Sequence, residues 1–104
     1  MAGDRSGDDR ALLGSRVRLP EHVVHRGFAA ETVVLNLQTG KYHGLNPTAG
    51  RMLEVLESKD SVGQAAAEIA SEYGQPIDQV EQDLCELCAD LAERGLIEVD
   101  GIER

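Results

Sequence analysis

The hydrophobic pattern changes near the middle of the chain from the spacing of a strand to the spacing of a helix. Residues 32–37 alternate, with Val33, Leu35 and Leu37 on one face, which is typical of a β-strand. The tripeptide Gln-Thr-Gly follows at 38–40, and a glycine that can adopt positive φ suits a hairpin turn. Residues 41–45 then return antiparallel, so we predict a β-hairpin over residues 32–45.

Three amphipathic helices are predicted after the hairpin, at residues 47–57, 61–73 and 78–94. Each carries an apolar stripe at helical spacing, and glycines at 74 and 95 mark the ends of the second and third. The predicted starting signals are Asn46 before Pro47, a capping box of Ser61 with Gln64, and a second box of Asp78 with Glu81.

The segment before the hairpin predicts one further strand. Arg16–Leu19 alternates, Pro20 interrupts and His22–Phe28 resumes the pattern, so we expect a single edge strand, bent or entered at the proline. Residues 96–99 form a short apolar segment that could close the core or add a strand. The polar residues 1–14 indicate a flexible tail, which leaves residues 15–104 as the domain.

Together these elements predict an α+β fold in which a three-stranded antiparallel sheet is followed by three helices. The second and third helices could form a helix-turn-helix, so the whole would resemble a winged helix. The length of 104 residues fits one domain with a modest core. No apolar run approaches a membrane span, the N-terminus is too polar for a signal peptide, and two cysteines within one helix offer no disulfide framework. We therefore expect a cytoplasmic protein.

The net charge of −9 is unevenly distributed and bears on the choice of partner. Residues 1–31 carry five acids and five bases, whereas residues 32–104 carry fourteen acids and five bases. Such a surface repels phosphate and favours a neutral or basic partner. The predicted third helix would have to enter a DNA groove with six acids and one base, Arg94, so we expect no nucleic-acid partner.

Cys85 and Cys88 form the only motif with the spacing of a redox or metal site. A reactive thiol needs a helix N-terminus or positive neighbours, and this pair lies mid-helix among acids. A structural zinc site needs four ligands, and no second pair exists. The histidines at 22, 25 and 43 have no nucleophile beside them in a recognisable motif. We expect core or half-buried cysteines, no metal, no cofactor and no catalytic residues.

The predicted hairpin suggests a binding mode that needs no catalytic residue. An edge strand exposes unpaired backbone groups, with which an extended peptide can pair as an added strand. The strand at 41–45 runs directly into a helix, which could supply side-chain pockets beside that edge. The sequence alone leaves open which face of the strand lines the groove.

The same region carries a resemblance to a known family. The string VLNLxTGKYHxLNPTA at residues 34–49, the Ala-rich second helix ending in Tyr73-Gly74, and the closing pattern from Asp83 to Ile97 resemble PqqD-like proteins. These are recognition elements of pathways for ribosomally made, post-translationally modified peptides (RiPPs). The free-standing form is similar to the leader-binding proteins of lasso-peptide biosynthesis. The resemblance covers about residues 17–99.

The resemblance implies a non-catalytic adaptor that binds the leader segment of a precursor peptide. The leader would add to the strand at 41–45 and lie in a groove against the third helix. The adaptor would then present it to a partner leader peptidase and to a lasso cyclase. The residues to which this role is carried over are Lys41, Tyr42, His43, Gly44 and Leu45 on the strand, and Val80, Asp83, Leu84, Leu87 and Cys88 on the helix.

Two other hypotheses compete with the adaptor. One is an acidic winged-helix regulator of transcription or of another protein, which retention on DNA in moderate salt would support. The other is a small thiol or metal protein built on Cys85 and Cys88, which metal analysis would reveal. We favour the adaptor, because the acidic surface and the isolated cysteine pair argue against the other two.

Overall fold

The computed structural model describes residues 12–100 of the chain. Residues 1–11, most of the predicted tail, lie outside the described residues. Leu12 and Leu13, which we also assigned to the tail, are helical and half-buried against the core. The regular elements that follow are β1 (Arg16–Arg18), β2 (Val23–Gly27), β3 (Thr32–Asn36), β4 (Tyr42–Leu45), α1 (Pro47–Ser58), α2 (Val62–Tyr73), α3 (Ile77–Glu93) and β5 (Glu98–Asp100).

The central sheet is antiparallel, with the strand order β2-β3-β4. Three helices follow it, which confirms the predicted α+β arrangement. In the hairpin, Val34 lies opposite His43 and Leu35 lies opposite Tyr42. Gly40 closes the turn at φ 76°, the left-handed conformation predicted for it.

The prediction of one edge strand bent at Pro20 is wrong. β1 leaves the central sheet and pairs instead with β5, with Val17 opposite Val99. Pro20 has no N–H to give to a ladder, and its carbonyl accepts from the Val23 amide at 3.0 Å, so the chain turns between two separate sheets. Arg18 also links β1 to β5, through Glu98 at 2.8 Å and Asp100 at 2.6 Å.

The helices pack their apolar stripes around a core that includes Leu53, Leu56, Ile69, Leu84 and Leu91. The local signals for the first two helices are confirmed. The Ala49 amide donates to Asn46 Oδ1 at 2.8 Å, and the Gln64 amide donates to Ser61 Oγ at 3.1 Å.

The ends of α2 and α3 also follow the predicted glycines, Gly74 at φ 66° and Gly95 at φ 75°. The capping box predicted at Asp78 is wrong, because α3 already begins at Ile77. Pro76 occupies the N-cap and no side chain caps the helix. Asp78 lies inside the first turn, where its negative charge favours the helix dipole.

The join between hairpin and α1 depends on a close approach of Gly50 to Thr32. Both residues are buried, and a Cβ built on Gly50 would lie 2.8 Å from the Thr32 Cβ and closer still to its hydroxyl. Thr32 is β-branched and sits in β3, so it has little freedom to move away. The glycine therefore lets α1 lie directly against the sheet.

We expect Gly50→Ala to destabilise the protein by about 1–3 kcal/mol, the usual cost of overpacking. Alanine is the better helix former by roughly 1 kcal/mol, so helix propensity alone predicts the opposite sign. Urea denaturation of both proteins measures the difference. Unchanged or increased stability of the variant would show that α1 and β3 do not touch at this point.

Candidate peptide-binding site

β4 has an open edge. It pairs with β3 on one side, and no other strand within residues 12–100 pairs with its second side. The strand is short and leads directly into α1 through Asn46. The free edge on which the peptide-binding hypothesis depends is therefore present in the described part of the chain.

The hydrogen-bond register shows which backbone groups of β4 face outward. The Asn36 amide donates to the Lys41 carbonyl at 2.9 Å, so the bonded pairs continue with Val34 and His43. In an antiparallel ladder bonded pairs alternate with non-bonded ones. The N–H and C=O groups of Tyr42 and Gly44 consequently point away from β3, toward the position of an added strand.

The two faces of β4 are now distinguished. Leu45 is buried together with its cross-strand neighbour Thr32, and His43 is half-buried opposite the buried Val34. Lys41, His43 and Leu45 share the face toward the helices, because side chains alternate along a strand. Tyr42 lies on the opposite face, with 75% of its surface exposed.

A cavity of about 290 Å³ lies at the start of β4. Its sheet side is formed by Lys41, Tyr42 and His43, with Asn36 and Thr39 of the hairpin turn. Arg94 and Leu96, at the end of α3 and just after it, form the other side. The structure thus brings the edge strand and the third helix together at the C-terminal end of that helix.

Three of the helix residues predicted to contact the peptide are core residues instead. Val80 is 3% exposed, and Leu84 and Cys88 are 0% exposed, so they have no surface to offer a peptide. They belong to the apolar stripe that packs α3 onto the core. Their contribution to a groove is to support it from beneath.

A second stripe of α3 is half-exposed and leads to the cavity. Asp83, Leu87 and Asp90 are all of intermediate burial, at helical spacing, and the next residue on this line is Arg94. Leu87 packs partly against the core and keeps an exposed side. Of the predicted helix residues, Asp83 and Leu87 are therefore accessible.

The comparisons with known proteins bear on the role of this site. The family model described as coenzyme PQQ synthesis protein D (PqqD) matches residues 31–97, which include the hairpin and all three helices. This chain belongs to the PqqD family. The resemblance noted from the sequence is thereby confirmed.

Two solved structures are similar to this PqqD-family chain. Lasso peptide synthetase B1 complexed with the leader peptide is 26% identical, with a TM-score of 0.72 over 80% of this chain and 98% of that chain. TbiB1 in complex with the TbiA(beta) leader peptide is 30% identical, with a TM-score of 0.71 over 84% of this chain and 99% of that one. The comparison with curated proteins gives no significant match.

Sequence reasoning missed four residues of the cavity, namely Asn36, Thr39, Arg94 and Leu96. The hairpin residues were treated only as turn chemistry, and Leu96 only as part of a closing segment. The spacing of Arg94 after Asp83, Leu87 and Asp90 is a signal that could have placed it on the accessible margin of α3.

In this PqqD-family chain, Lys41 of the cavity differs in its ion pairing from Arg51 and Lys59. Arg51 binds Glu72 at 2.8 Å and Glu54 at 3.1 Å, and Lys59 binds Glu68 at 2.7 Å. The hydrogen bond with Glu72 raises the pKa of Arg51, and the same bond lowers the pKa of Glu72. Both groups are exposed, so these pairs contribute little to stability. Lys41 has no ion pair with any described residue.

The cysteine pair is buried, as expected from the sequence. Cys85 is 4% exposed and Cys88 is 0% exposed. Burial, followed by the neighbouring Cys85, raises the pKa of the Cys88 thiol to about 12. Within residues 12–100 no group of three His, Cys, Asp or Glu side chains is close enough to hold a metal ion. The His25 ring lies 2.6 Å from Glu57 instead.

Among the helices of the described chain, none is both long and apolar enough to cross a membrane.

We expect the Cys88 thiol to resist modification by a thiol reagent at pH 8 in the native protein and to react at once in guanidinium. The raised pKa keeps the thiol neutral in the folded state, whereas the unfolded thiol ionises near its ordinary pKa. For the same reason stability falls as the pH rises from about 9 toward 12. Mass spectrometry after timed labelling measures the reaction. Rapid labelling of Cys88 in the native protein would show that the helix face is open.

Proposed function

We propose that this PqqD-family protein is a non-catalytic adaptor that binds the leader region of a ribosomally made precursor peptide as an added strand on β4. The observation that carries the proposal is the open edge of β4 beside a cavity bounded by the end of α3. An edge of this kind binds through main-chain hydrogen bonds, and adjacent pockets give selectivity.

The similar structures support a leader peptide as the ligand, called the guest below. Both are complexes with a leader peptide, one of them of lasso peptide synthetase B1, and nearly the full length of each is matched by this chain. An extended leader gains main-chain bonds whatever its sequence, and each such bond contributes a net of about 0.5–1.5 kcal/mol. Several of them together can hold a peptide that has no fixed structure of its own.

The guest would touch two sets of groups. Its backbone would bond to the outward N–H and C=O groups of Tyr42 and Gly44. Its side chains on the helix side would meet Lys41 and His43 on the strand and the exposed margin of α3, where Leu87 offers apolar surface and Asp83 offers charge.

The adaptor would act together with a leader peptidase and a lasso cyclase. We propose that it works in the cytoplasm, where ribosomal precursors are made. A guest strand on β4 would extend the central sheet, and the outer face of that sheet would stay accessible. That face exposes Val24, Leu37 and Tyr42, an apolar surface suited to a partner protein.

The presentation role can be tested with a leader peptidase and a precursor peptide, each chosen by screening candidates against this protein. We expect the chain to accelerate leader cleavage from the full precursor, since presentation raises the local concentration of the scissile segment. Equal cleavage rates with and without the chain would remove the peptidase from the proposal while leaving leader binding intact.

The regulator hypothesis is disfavoured by the charge of α3. Along the described helix six acids face a single nearby base, and that base, Arg94, already binds Asp90 at 3.1 Å. Contact with duplex DNA would place like charges together. Retention of the chain on duplex DNA in moderate salt would support the regulator.

The proposal predicts that Tyr42→Pro lowers leader affinity at least tenfold relative to Tyr42→Ala, about 1.4 kcal/mol. Both variants lose the phenol ring, but only proline loses the outward N–H. The β3–β4 ladder does not use that group, so both variants should stay folded. Fluorescence titration with a set of labelled candidate leader peptides measures the affinities.

Circular dichroism and urea denaturation serve as the folding control for this pair. Equal affinities in two folded variants would show that the leader does not pair with β4. Failure of the unmodified protein to bind the leader at all would overturn the adaptor role itself.

A further inference from the structure

We propose that the cavity at the start of β4 is a subsite for a carboxylate, and that it selects guest peptides with Asp or Glu at one fixed position. This inference rests on the proposed function and names a side chain that the guest must carry. It assigns to Lys41 and Arg94 the task of specificity, in addition to the main-chain pairing of the strand.

Basic residues are scarce in the second part of the chain, and two of them line the cavity. Residues 32–104 hold only five bases against fourteen acids. Two of these bases, Arg51 and Lys59, are held in ion pairs with glutamates of α1 and α2. Arg104 lies outside the described residues. The remaining two, Lys41 and Arg94, are far apart in sequence and line the same cavity.

Both side chains keep hydrogen-bond donors that no described residue uses. Lys41 shares its strand face with His43 and has no carboxylate within ion-pair distance in the described chain. Asp90 accepts from Arg94 Nε at 3.1 Å, and no described residue accepts from the terminal guanidinium nitrogens. Asp90 thus orients the guanidinium and leaves its terminal donors available, the geometry that suits a carboxylate.

The polar groups of the hairpin turn use their oxygen atoms within the turn itself. Asn36 Oδ1 accepts from the amides of Gln38 at 2.9 Å and Thr39 at 3.2 Å, and Thr39 Oγ1 accepts from the Lys41 amide at 3.1 Å. The acceptor side of these groups is therefore occupied, while the side-chain Nδ2 donors of Asn36 have no partner among the described residues. A cavity whose unused groups are donors and cations binds an anion.

The size and position of the cavity limit the ligand to a side chain. A volume of about 290 Å³ lies at the lower end of the range for small-molecule sites, and it is ample for one carboxylate with its water. It adjoins Tyr42, whose backbone faces the guest strand. An acidic residue of the guest that points to the helix side near Tyr42 would enter it.

The acidic surroundings make the subsite selective. A peptide with several acids would be repelled by Asp83, Asp90 and the net charge of the chain. A peptide with a single acid in register gains two cationic partners and avoids that repulsion elsewhere. We expect one acidic position within an otherwise neutral or basic guest segment.

The test is a selection from a random 15-residue peptide library, displayed on messenger RNA, against the immobilised full chain. It is run in parallel on the double variant Lys41→Gln/Arg94→Gln. A second double variant, Arg16→Gln/Arg26→Gln, is the control, because it removes the same charge from exposed positions outside the cavity. Titration of one enriched peptide and of its Asp→Asn or Glu→Gln form then gives the coupling.

We expect the unmodified chain and the control to enrich Asp or Glu at one position. Replacing that acid by its amide, or replacing Lys41 and Arg94 by glutamine, should weaken binding of the peptide at least tenfold. Combining the two changes should weaken binding little further than either change alone. Enriched peptides without an acidic position, or equal losses in the control variant, would overturn the subsite and leave the adaptor role standing. If no peptide is enriched, or if Tyr42→Pro binds the enriched peptides normally, the adaptor role fails and the subsite fails with it.

Discussion

The antiparallel pairing of β3 with β4 is the constraint on which the rest of the site depends. In such a ladder the backbone N–H and C=O groups of every second residue bond to the neighbouring strand, and those of the residues between them point away from it. Here the bond between Asn36 and Lys41 fixes the phase, so the outward positions are Tyr42 and Gly44. A register shifted by one residue would exchange the two faces of the strand and turn Lys41 and His43 away from α3.

The remaining elements keep this hairpin in place and leave its edge open. Asn46 caps α1 immediately after β4, and the contact of Gly50 with Thr32 holds the helix against the sheet. Leu45 is buried at the C-terminal end of β4, so the strand is anchored at the end away from the cavity. The pairing of β1 with β5 joins the two ends of the described chain in a separate sheet and does not cover β4.

Local signals in the sequence predicted most of the elements, and long-range packing accounts for the errors. Four residues whose effect is confined to their near neighbours in the chain have the predicted roles, namely Gly40, Asn46, Ser61 and Gly74. The pairing of β1 with β5 joins residues eighty or more positions apart, which no local pattern encodes. For α3, the apolar stripe was recognised, but periodicity could not separate buried Val80, Leu84 and Cys88 from the accessible margin beside them. The cavity itself exists only because the end of α3 folds back on the hairpin turn.

Amide hydrogen exchange, followed by NMR with and without the leader peptide, tests the central claim most directly. The account predicts that the leader slows exchange at Tyr42 and Gly44 by at least tenfold, while His43 and Leu45, already bonded to β3, change little. Protection at His25 and Gly27, the outward amides of β2, would place the guest on the opposite edge of the sheet. That result, or unchanged exchange throughout β4, would contradict the account.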